Sequence, residues 1–247
     1  MKLQNLGTNF VRNTSSSVYR DLVSVELLDL ESELKKITNS CSELTARISD
    51  YVINSGGKRI RPILIFTIGK IFKNKSPALL YLSVAIELIH AATLLHDDVI
   101  DESQLRRGKK TANNIWDNKS AILAGDYVFA ESYRYMVKTK SLDVLKILSE
   151  AARIIADGEI NQITYQKSNS FAYDEYLHLI KSKTAELFSA ACHGSAVICS
   201  RSASERNMMK MLGHNLGMAF QIKDDYLDYV GDRDVLGKPI GKDFYEK

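Results

Sequence analysis

Proline is scarce in this chain, and its scarcity constrains the fold more than any other feature of the sequence. The three prolines are Pro62, Pro77 and Pro239, and between them apolar residues recur at helical spacing with little strand-like alternation. This pattern predicts an all-α protein, a single large helical bundle. The helices are expected near 20–38, 42–54, 61–73, 77–101, 113–139, 142–167, 173–200 and 204–230. We expect one helical domain over 20–247, after a polar tail over 1–19.

The composition excludes several classes of protein. Thirty-three basic residues against 30 acidic ones leave a net charge of +3, which predicts no nucleic-acid partner. Cys41, Cys192 and Cys199 form no CxxC pair, so the sequence indicates neither a disulfide framework nor a zinc site and favours a reducing compartment. No apolar run approaches the roughly 20 residues that span a bilayer, which predicts a soluble protein.

The N-terminus leaves two alternatives for localisation. The first twenty residues contain Lys2, Arg12, Arg20 and a Ser/Thr cluster at 14–17, but no acidic residue. Mitochondrial transit peptides share this composition with ordinary polar chain termini. The prediction is a cytoplasmic protein, with a mitochondrial location as the alternative.

Two acidic pentads carry the chemistry of the chain. They are DDVID at 97–101 and DDYLD at 224–228, and each ends a long apolar stretch that is typical of a helix. The first and last carboxylates of a pentad lie at i and i+4 and share one helix face. Such carboxylates repel one another unless cations bridge them. The pentads therefore predict a site for several Mg²⁺ ions and a diphosphate, with solvated helix ends as the alternative.

Polar residues continue both acidic faces along their helices. One stripe of the first helix contains Ser83, Glu87, His90, Leu94, Asp97 and Asp101, and one of the second contains His214, Gly217, Gln221, Asp224 and Asp228. If the two helices face each other, both acidic sets lie at one mouth of the bundle.

Basic residues that suit a diphosphate lie in two segments. Arg106 and Arg107 follow the first pentad, and GGKRIRP at 56–62 begins an early helix. The glycine pair lets the backbone approach a phosphate, and Lys58 and Arg61 point the same way once they are helical. A solvated surface is the alternative for a basic loop, but the two pentads favour a diphosphate site.

Taken together, these motifs resemble the trans-type isoprenyl (polyprenyl) diphosphate synthases over nearly the whole chain from about residue 20. The motifs that carry the resemblance are GGKRIRP at 56–62, ELIH at 87–90, HDDVID at 96–101, RR at 106–107, AGD at 124–126, Gly158-Glu159 with Gln162, KTA at 183–185 and FQIKDDYLD at 220–228.

The resemblance implies a role for each site residue. Isopentenyl diphosphate is expected to bind Lys58, Arg61, His90 and Arg107, and the allylic diphosphate Arg106, Lys183, Thr184, Gln221 and Lys238. Asp97, Asp101 and Asp224 are the expected direct Mg²⁺ contacts, with Asp98, Asp225 and Asp228 in support. Asp97, Asp101, Arg106, Lys183 and Asp224 form the expected catalytic set. His96 is expected to pack against its neighbours and not to bind a ligand.

The resemblance also implies a fold and a reaction. The fold is a helical bundle of the isoprenoid synthase type with a central cavity, usually as a homodimer. The enzyme would hold three Mg²⁺ ions per site when substrate is bound, ionise the allylic diphosphate, condense it with isopentenyl diphosphate and lose a proton. The released diphosphate accepts that proton in this family.

The resemblance also implies a product length, because the residues one turn before the first pentad limit how far the growing tail can extend. Short-chain relatives carry bulky aromatic residues there, whereas this chain has Ala92 and Thr93. The resemblance therefore favours a long-chain, octaprenyl-class product of the kind used for ubiquinone side chains. Such a product is lipophilic, so we expect loose association with membranes.

The sequence departs from the family near its C-terminus. The family continues into further helices after the segment that matches 237–243, whereas this sequence ends at Lys247. We expect the C-terminal helices to be missing. The alternatives to an active synthase of this kind are an inactive partner subunit, a fragment or degenerate relative of such a synthase, and a terpene cyclase. A cyclase binds no isopentenyl diphosphate and needs neither GGKRIRP nor Arg106 and Arg107.

Overall fold

Helices make up nearly all the regular structure of the described residues. The computed structural model describes residues 18–39, 41–166 and 172–230. After a short helical segment at 18–22, the helices are α1 (Ser24–Thr38), α2 (Glu43–Ile53), α3 (Ile60–Ile71), α4 (Ala78–Ile100), α5 (Ala112–Ile115), α6 (Asn118–Lys138), α7 (Leu142–Gln166), α8 (Tyr173–Ile180), α9 (Glu186–Ile198) and α10 (Ala203–Val230). The predicted all-α class is confirmed. Of the predicted tail over 1–19, residues 1–17 lie outside the described residues, whereas residues 18 and 19 belong to the helical segment at 18–22. Lys238 also lies outside the described residues.

Helix α4 forms the centre of the core. It is apolar on nearly all sides, and Leu82, Ile86 and Ile89 are fully buried. It packs along α6 and also contacts α1, α3 and α9. Burial of each such side chain stabilises the fold by about 1.5–3 kcal/mol. The first pentad therefore ends the most firmly embedded helix of the bundle, which fixes the position of its carboxylates.

The prediction that no apolar run approaches the length of a membrane span is wrong for α4. The helix is long and apolar enough to cross a membrane, with a mean hydropathy of 1.9 over its most apolar window. However, 72% of that window is buried inside the bundle, as it is in the core helices of soluble proteins. Length and composition are therefore weak evidence for a membrane span here.

Local capping explains where two helices begin. The sequence predicts one helix over 113–139, but the structure divides it into α5 and α6 because Asp117 caps the second part and accepts a hydrogen bond from the Ser120 backbone at 2.7 Å. At the start of α10, Glu205 accepts a bond from the Ser202 backbone and Ser202 Oγ accepts one from the Glu205 backbone. This reciprocal capping box satisfies donors that would otherwise lack partners.

A small β-hairpin follows the first pentad and was missed in the sequence. Strands β1 (Leu105–Arg106) and β2 (Lys109–Lys110) pair antiparallel. Arg107 and Gly108 form the two-residue turn, with φ of 53° and 74°. Two-residue strands are too short to show alternation, so the sequence offers only the Arg-Gly turn as a signal. The hairpin presents Arg106 and Arg107 beside the end of α4.

A π-helical segment joins α8 to α9. Residues Lys181–Ala185 form this segment, which packs against both α7 and α10. Two glycines permit the close approach. A Cβ on Gly158 of α7 would lie 2.6 Å from Ser182 Cβ, and one on Gly217 of α10 would lie 2.5 Å from Ala185 Cα. Single π turns inside α-helices are frequent at functional sites.

Candidate functional site

The first pentad lies at the C-terminal end of α4. Asp97 and Asp98 are buried, and Asp101 is half-buried at the helix C-cap. Arg106 Nε of the hairpin donates a hydrogen bond to Asp98 Oδ1 at 2.8 Å. Carboxylates at a helix C-terminus face the negative end of the helix dipole, so their burial there is unfavourable without cations. The arrangement is one that binding of positive charge would stabilise.

Asp97 is a strongly perturbed carboxylate of the site. Burial, together with the Glu159 and Asp101 carboxylates, raises the pKa of Asp97 to about 7, although Lys183 and Arg106 oppose the shift. Lys183 Nζ lies 3.7 Å from Asp97 Oδ2. A buried carboxyl group with a raised pKa and several acidic neighbours is typical of a functional site.

Lys183 reaches the first pentad from the π-helical segment. It donates hydrogen bonds to Glu159 Oε2 at 2.9 Å and to Gln162 Oε1 at 3.1 Å, both on α7. Burial alone would lower the pKa of Lys183, but the Asp97 and Glu159 carboxylates raise it, so the ammonium group stays charged. The sequence singled out Glu159 and Gln162 as part of a motif but gave them no role, because their shared partner comes from another helix.

The second pentad lies near the end of α10 and is also connected to the π-helical segment. Thr184 Oγ1 donates a hydrogen bond to Gln221 Oε1 at 2.6 Å, and Gln221 Nε2 donates one to Asp225 Oδ1 at 2.9 Å. Asp225 Oδ2 also accepts a bond from the Tyr176 hydroxyl at 2.7 Å. Asp228 is buried, whereas Asp224 is exposed. No sequence signal had indicated Tyr176.

The donor set fits Mg²⁺ bound together with a substrate. Within the described ranges, no three His, Cys, Asp or Glu side chains gather closely enough to hold a metal ion by themselves. The six pentad carboxylates supply hard oxygen donors from two helices. Mg²⁺ is commonly held by one or two carboxylates, waters and substrate phosphates instead of a closed protein cage. The carboxylates of both pentads would hold the ions in this way.

A cluster of positive charge lies beside the first pentad and surrounds His90. Burial and the nearby guanidinium groups of Arg61, Arg107, Arg106 and Arg59 hold the pKa of His90 well below its usual range, so the imidazole is neutral. Burial also lowers the pKa of Arg61 to about 10. Arg61 Cζ lies 4.4 Å from the centroid of the Phe188 ring, and its Nε is buried without a hydrogen-bond partner. An anion would satisfy this donor and offset the charge repulsion.

Arg107 connects this cluster with the glycine loop and the second pentad. A Cβ on Gly57 would lie 3.5 Å from Arg107 Nη1, an ordinary van der Waals distance, so the guanidinium lies directly beside the glycine loop. Burial, Arg106 and Arg59 lower the pKa of Arg107, while the charge of Asp224 acts in the opposite direction. The basic cluster and both pentads therefore share one electrostatic environment.

Arg59 differs from the basic residues on either side of it. Its guanidinium pairs with Glu31 Oε1 at 2.8 Å and with Glu87 Oε2 at 2.7 Å, and it donates a bond to the Ile53 carbonyl at 3.0 Å. Lys58 is exposed at the loop, and Arg61 keeps its unpartnered Nε. Of the three, Arg59 is already held by the protein. The sequence pattern had indicated no role for Arg59.

The structure brings most of the predicted site residues together. The carboxylates of the first pentad, Lys183, Thr184, Gln221 and Asp225 form a connected set, and Arg61, His90, Arg106 and Arg107 form the adjoining basic cluster. Lys238 lies outside the described residues. His96 packs against Gly125, where an added Cβ would lie 2.4 Å from its Nε2, and the same nitrogen lies 3.3 Å from the Ile122 carbonyl oxygen and 3.3 Å from Asp126 Oδ1.

Fold and site define a class of protein: an all-α bundle with two acidic helix ends and an arginine cluster arranged for diphosphate chemistry. The family model for polyprenyl synthetase matches residues 42–247. Octaprenyl diphosphate synthase of Escherichia coli (strain K12) is 36% identical over 226 residues, covering 92% of this chain and 70% of that protein. The all-trans-nonaprenyl-diphosphate synthase (geranyl-diphosphate specific) of Rhodobacter capsulatus is 35% identical over 245 residues, covering 98% of this chain and 73% of that protein.

A solved structure agrees with these sequence relatives. The polyprenyl synthase from Caulobacter crescentus CB15, complexed with calcium and isoprenyl diphosphate, superposes with a TM-score of 0.90 at 37% identity. The match covers 94% of this chain and 71% of that one. The chain belongs to the polyprenyl synthetase family, which confirms the resemblance drawn from its motifs.

Proposed function

We propose that this protein is a Mg²⁺-dependent prenyltransferase that condenses isopentenyl diphosphate with an allylic diphosphate to form a long-chain all-trans polyprenyl diphosphate. The observation that carries the proposal is the connection of both pentads through two consecutive residues. Lys183 faces Asp97, and Thr184 bonds Gln221, which bonds Asp225. A ligand held between the pentads would contact both sides through this segment.

The basic cluster is the proposed site for isopentenyl diphosphate. Arg61 and Arg107 would grip the diphosphate oxygens, with Lys58 at the exposed mouth. The neutral His90 would donate a hydrogen bond without adding charge to an already crowded cluster. The buried, unpartnered Arg61 Nε gives this assignment its physical basis, because a diphosphate oxygen would satisfy it.

The allylic diphosphate is proposed to lie between the pentads. Asp97, Asp101 and Asp224 would hold Mg²⁺ directly, with Asp98, Asp225 and Asp228 in support, and we expect three ions per site. When bound, Mg²⁺ would neutralise the charge that develops on the departing diphosphate. Arg106 and Lys183 would bind the same oxygens. Lys238 completes the expected set, although it lies outside the described residues.

The reaction needs no covalent enzyme intermediate. The carbon–oxygen bond of the allylic diphosphate breaks, the double bond of isopentenyl diphosphate attacks the resulting cation, and a proton leaves. The Thr184 and Gln221 side chains lie 2.6 Å apart beside this region, and their dipoles would stabilise the cation. The released diphosphate is the proposed proton acceptor.

A long-chain product is supported by the small residues one turn before the first pentad. Ala92 is 1% exposed, and the neighbouring Thr93 turns its hydroxyl back to the His90 carbonyl at 2.9 Å. Neither side chain is bulky enough to block a tail that descends along α4. The E. coli relative is named as an octaprenyl synthase and the R. capsulatus relative as a nonaprenyl synthase. We assign the product to this class, a precursor of ubiquinone-type side chains, whose lipophilic tail would associate loosely with membranes.

A homodimer is the proposed assembly. Leu123, Tyr133 and Val137 on α6 are large apolar side chains that are 44–67% exposed. A second copy of the chain would cover them. Size-exclusion chromatography with light scattering tests this assembly, and a monomeric mass at micromolar concentration would contradict it.

The activity is tested with the purified chain, Mg²⁺, an allylic diphosphate and isotopically labelled isopentenyl diphosphate. Incorporation of label and the chromatographic length of the product decide the reaction and the product class together. Failure to extend the substrate, with retained binding of a bisphosphonate analogue, would instead favour an inactive partner subunit. Release of a cyclic hydrocarbon without isopentenyl diphosphate would favour a terpene cyclase.

A further inference from the structure

We propose that Glu31 is a positioning residue for the isopentenyl diphosphate site and acts on Lys58 and Arg61 through Arg59. This inference rests on the proposed function. Glu31 lies on α1, which precedes the segment matched by the family model at 42–247. The inference therefore gives the N-terminal helix a part in the binding of one of the two substrates.

The guanidinium of Arg59 makes four hydrogen bonds to other residues of the protein. Arg59 Nε and Nη2 bind the two oxygens of Glu31 at 2.8 and 3.1 Å, and Nη1 binds Glu87 at 2.7 Å. Nη2 also donates to the Ile53 carbonyl. This side-on pairing with Glu31 uses the planar fork of arginine in the way that a diphosphate would. Arg59 therefore anchors the loop and leaves substrate binding to its neighbours.

The backbone of Arg59 shows why an anchor is needed. Its φ is 50°, in the left-handed region that residues with a Cβ avoid, and it occupies the N-cap of α3 without a side-chain capping bond. Lys58 precedes this residue directly, and Arg61 follows in the first turn of α3. A relaxation of Arg59 towards an ordinary conformation would redirect both side chains. The paired carboxylates hold the strained conformation from outside the loop.

The two carboxylates differ in what their loss would do. Glu87 is buried on α4, and its charge also acts on Arg61 and Arg107, so its removal would leave buried cations unpaired. Glu31 has a side chain that is 43% exposed, and Arg59 would keep Glu87 as a partner without it. Substitution of Glu31 therefore weakens the hold on Arg59 without leaving a buried cation unpaired. This makes Glu31 the position at which geometry can be tested apart from folding.

The experiment compares Glu31→Gln with Glu26→Gln. Glu26 also lies on α1 and also pairs with a residue of α3, since Lys70 Nζ lies 2.6 Å from Glu26 Oε1, but this pair involves the last turn of α3 and not the diphosphate site. Each variant loses one ion pair of α1, with the N-cap residue of α3 in Glu31→Gln and with the last turn of α3 in Glu26→Gln. Only Glu31→Gln changes the anchor of Arg59.

Steady-state kinetics with isopentenyl diphosphate varied at saturating allylic substrate provide the readout. For Glu31→Gln we expect the KM for isopentenyl diphosphate to rise about three- to tenfold, with kcat and the KM for the allylic diphosphate within twofold of the unsubstituted protein. Glu26→Gln should leave all three constants unchanged. Glu31→Asp, which keeps the charge, should recover part of the lost affinity.

Two results would overturn the inference. One is an unchanged KM for isopentenyl diphosphate in Glu31→Gln, and the other is an equal change in Glu26→Gln, which would reduce α1 to a structural support. Failure of the proposed function is a separate result, because the unsubstituted chain would then show no turnover. In that case calorimetric titration measures the affinity of each variant for isopentenyl diphosphate. Equal affinities of Glu31→Gln and Glu26→Gln would reject the role of Glu31.

Discussion

Lys183 Nζ lies 3.7 Å from Asp97 Oδ2, although Asp97 lies at the end of α4 and Lys183 in the π-helical segment between α8 and α9. The next residue, Thr184, bonds Gln221 on the opposite side. The π-helical segment supplies this divergence, and α7 and α10 pack against it where Gly158 and Gly217 leave room. One segment of backbone therefore sets the relative position of both pentads.

Loss of a pentad carboxylate should separate activity from stability. Asp97→Ala and Asp224→Ala are each expected to abolish measurable turnover with little loss of folded protein. Burial, together with the Glu159 and Asp101 carboxylates, raises the pKa of Asp97 to about 7, so its removal relieves unfavourable charge in the metal-free state. Turnover by the labelled-substrate assay and thermal unfolding without Mg²⁺ provide the measurements.

The control for these variants is Asp143→Ala. Asp143 is an exposed acid on α7 that lies 3.5 Å from Arg206 and contacts neither pentad. The Asp143→Ala variant should therefore retain normal turnover. Near-normal turnover in Asp97→Ala or Asp224→Ala would reject the metal-site assignment.

His90 should make the protein less stable in weak acid. Its folded-state pKa is depressed by burial and by the surrounding arginines, whereas an unfolded chain protonates histidine near its ordinary value of about 6.5. Below that pH the unfolded state binds a proton that the folded state does not, so the free energy of unfolding falls as pH falls. The slope from this residue is at most about 1.4 kcal/mol per pH unit. His90→Gln, which cannot take up this proton, should remove that part of the slope.

Urea unfolding at pH 7, 6 and 5 measures the effect. The unsubstituted protein should lose stability more steeply between pH 6.5 and 5 than His90→Gln does. His214→Gln is the matched control, because it changes a half-buried histidine on α10 that lies outside the arginine cluster around His90. Parallel pH profiles for the unsubstituted protein and His90→Gln would contradict the prediction.

The sequence predicted the parts of the fold that long periodic patterns specify. The apolar periodicity of α4 and the two pentads placed the acidic groups at helix ends, and the structure agrees. The hairpin around Arg107 escaped prediction because strands of two residues show no alternation. The π-helical segment escaped it because Lys181–Ala185 has the composition of an ordinary helix, and only packing against the glycines of α7 and α10 reveals it.

In the site, too, motifs of consecutive residues were predictable from the sequence, whereas partners that are distant along the chain were not. The spacing and the family motif assigned Lys58 and Arg61 to the diphosphate, but the sequence did not show that Arg59 between them is bound by carboxylates. Arg59 differs because its carboxylate partners, Glu31 and Glu87, each lie 28 residues away along the chain, on other helices. Partners of this kind follow from tertiary packing, which a single sequence does not encode in any short pattern.

Close packing at Gly217 should control the geometry of the site. An added Cβ would lie 2.5 Å from Ala185 Cα, which is backbone and cannot move aside cheaply. We expect Gly217→Ala to displace the π-helical segment, to cost about 1–3 kcal/mol of stability and to lower kcat at least tenfold. Gly194→Ala is the matched control, because its Cβ would meet only the Leu82 side chain at 3.2 Å. Equal thermal stabilities and kcat values for the two variants would contradict this prediction.

A bulky residue at the position of Ala92 should shorten the product. Ala92 lies on α4 below the first pentad and is almost fully buried, so a phenyl ring there would block the path of the growing tail between the helices. Ala92→Phe is expected to retain the first condensations and to stop several isoprene units earlier. Ala92→Ser, which adds little volume, should keep the original length. Reversed-phase chromatography of the dephosphorylated products measures the distribution. An unchanged chain length in Ala92→Phe, with normal turnover, would show that the tail follows another route through the bundle.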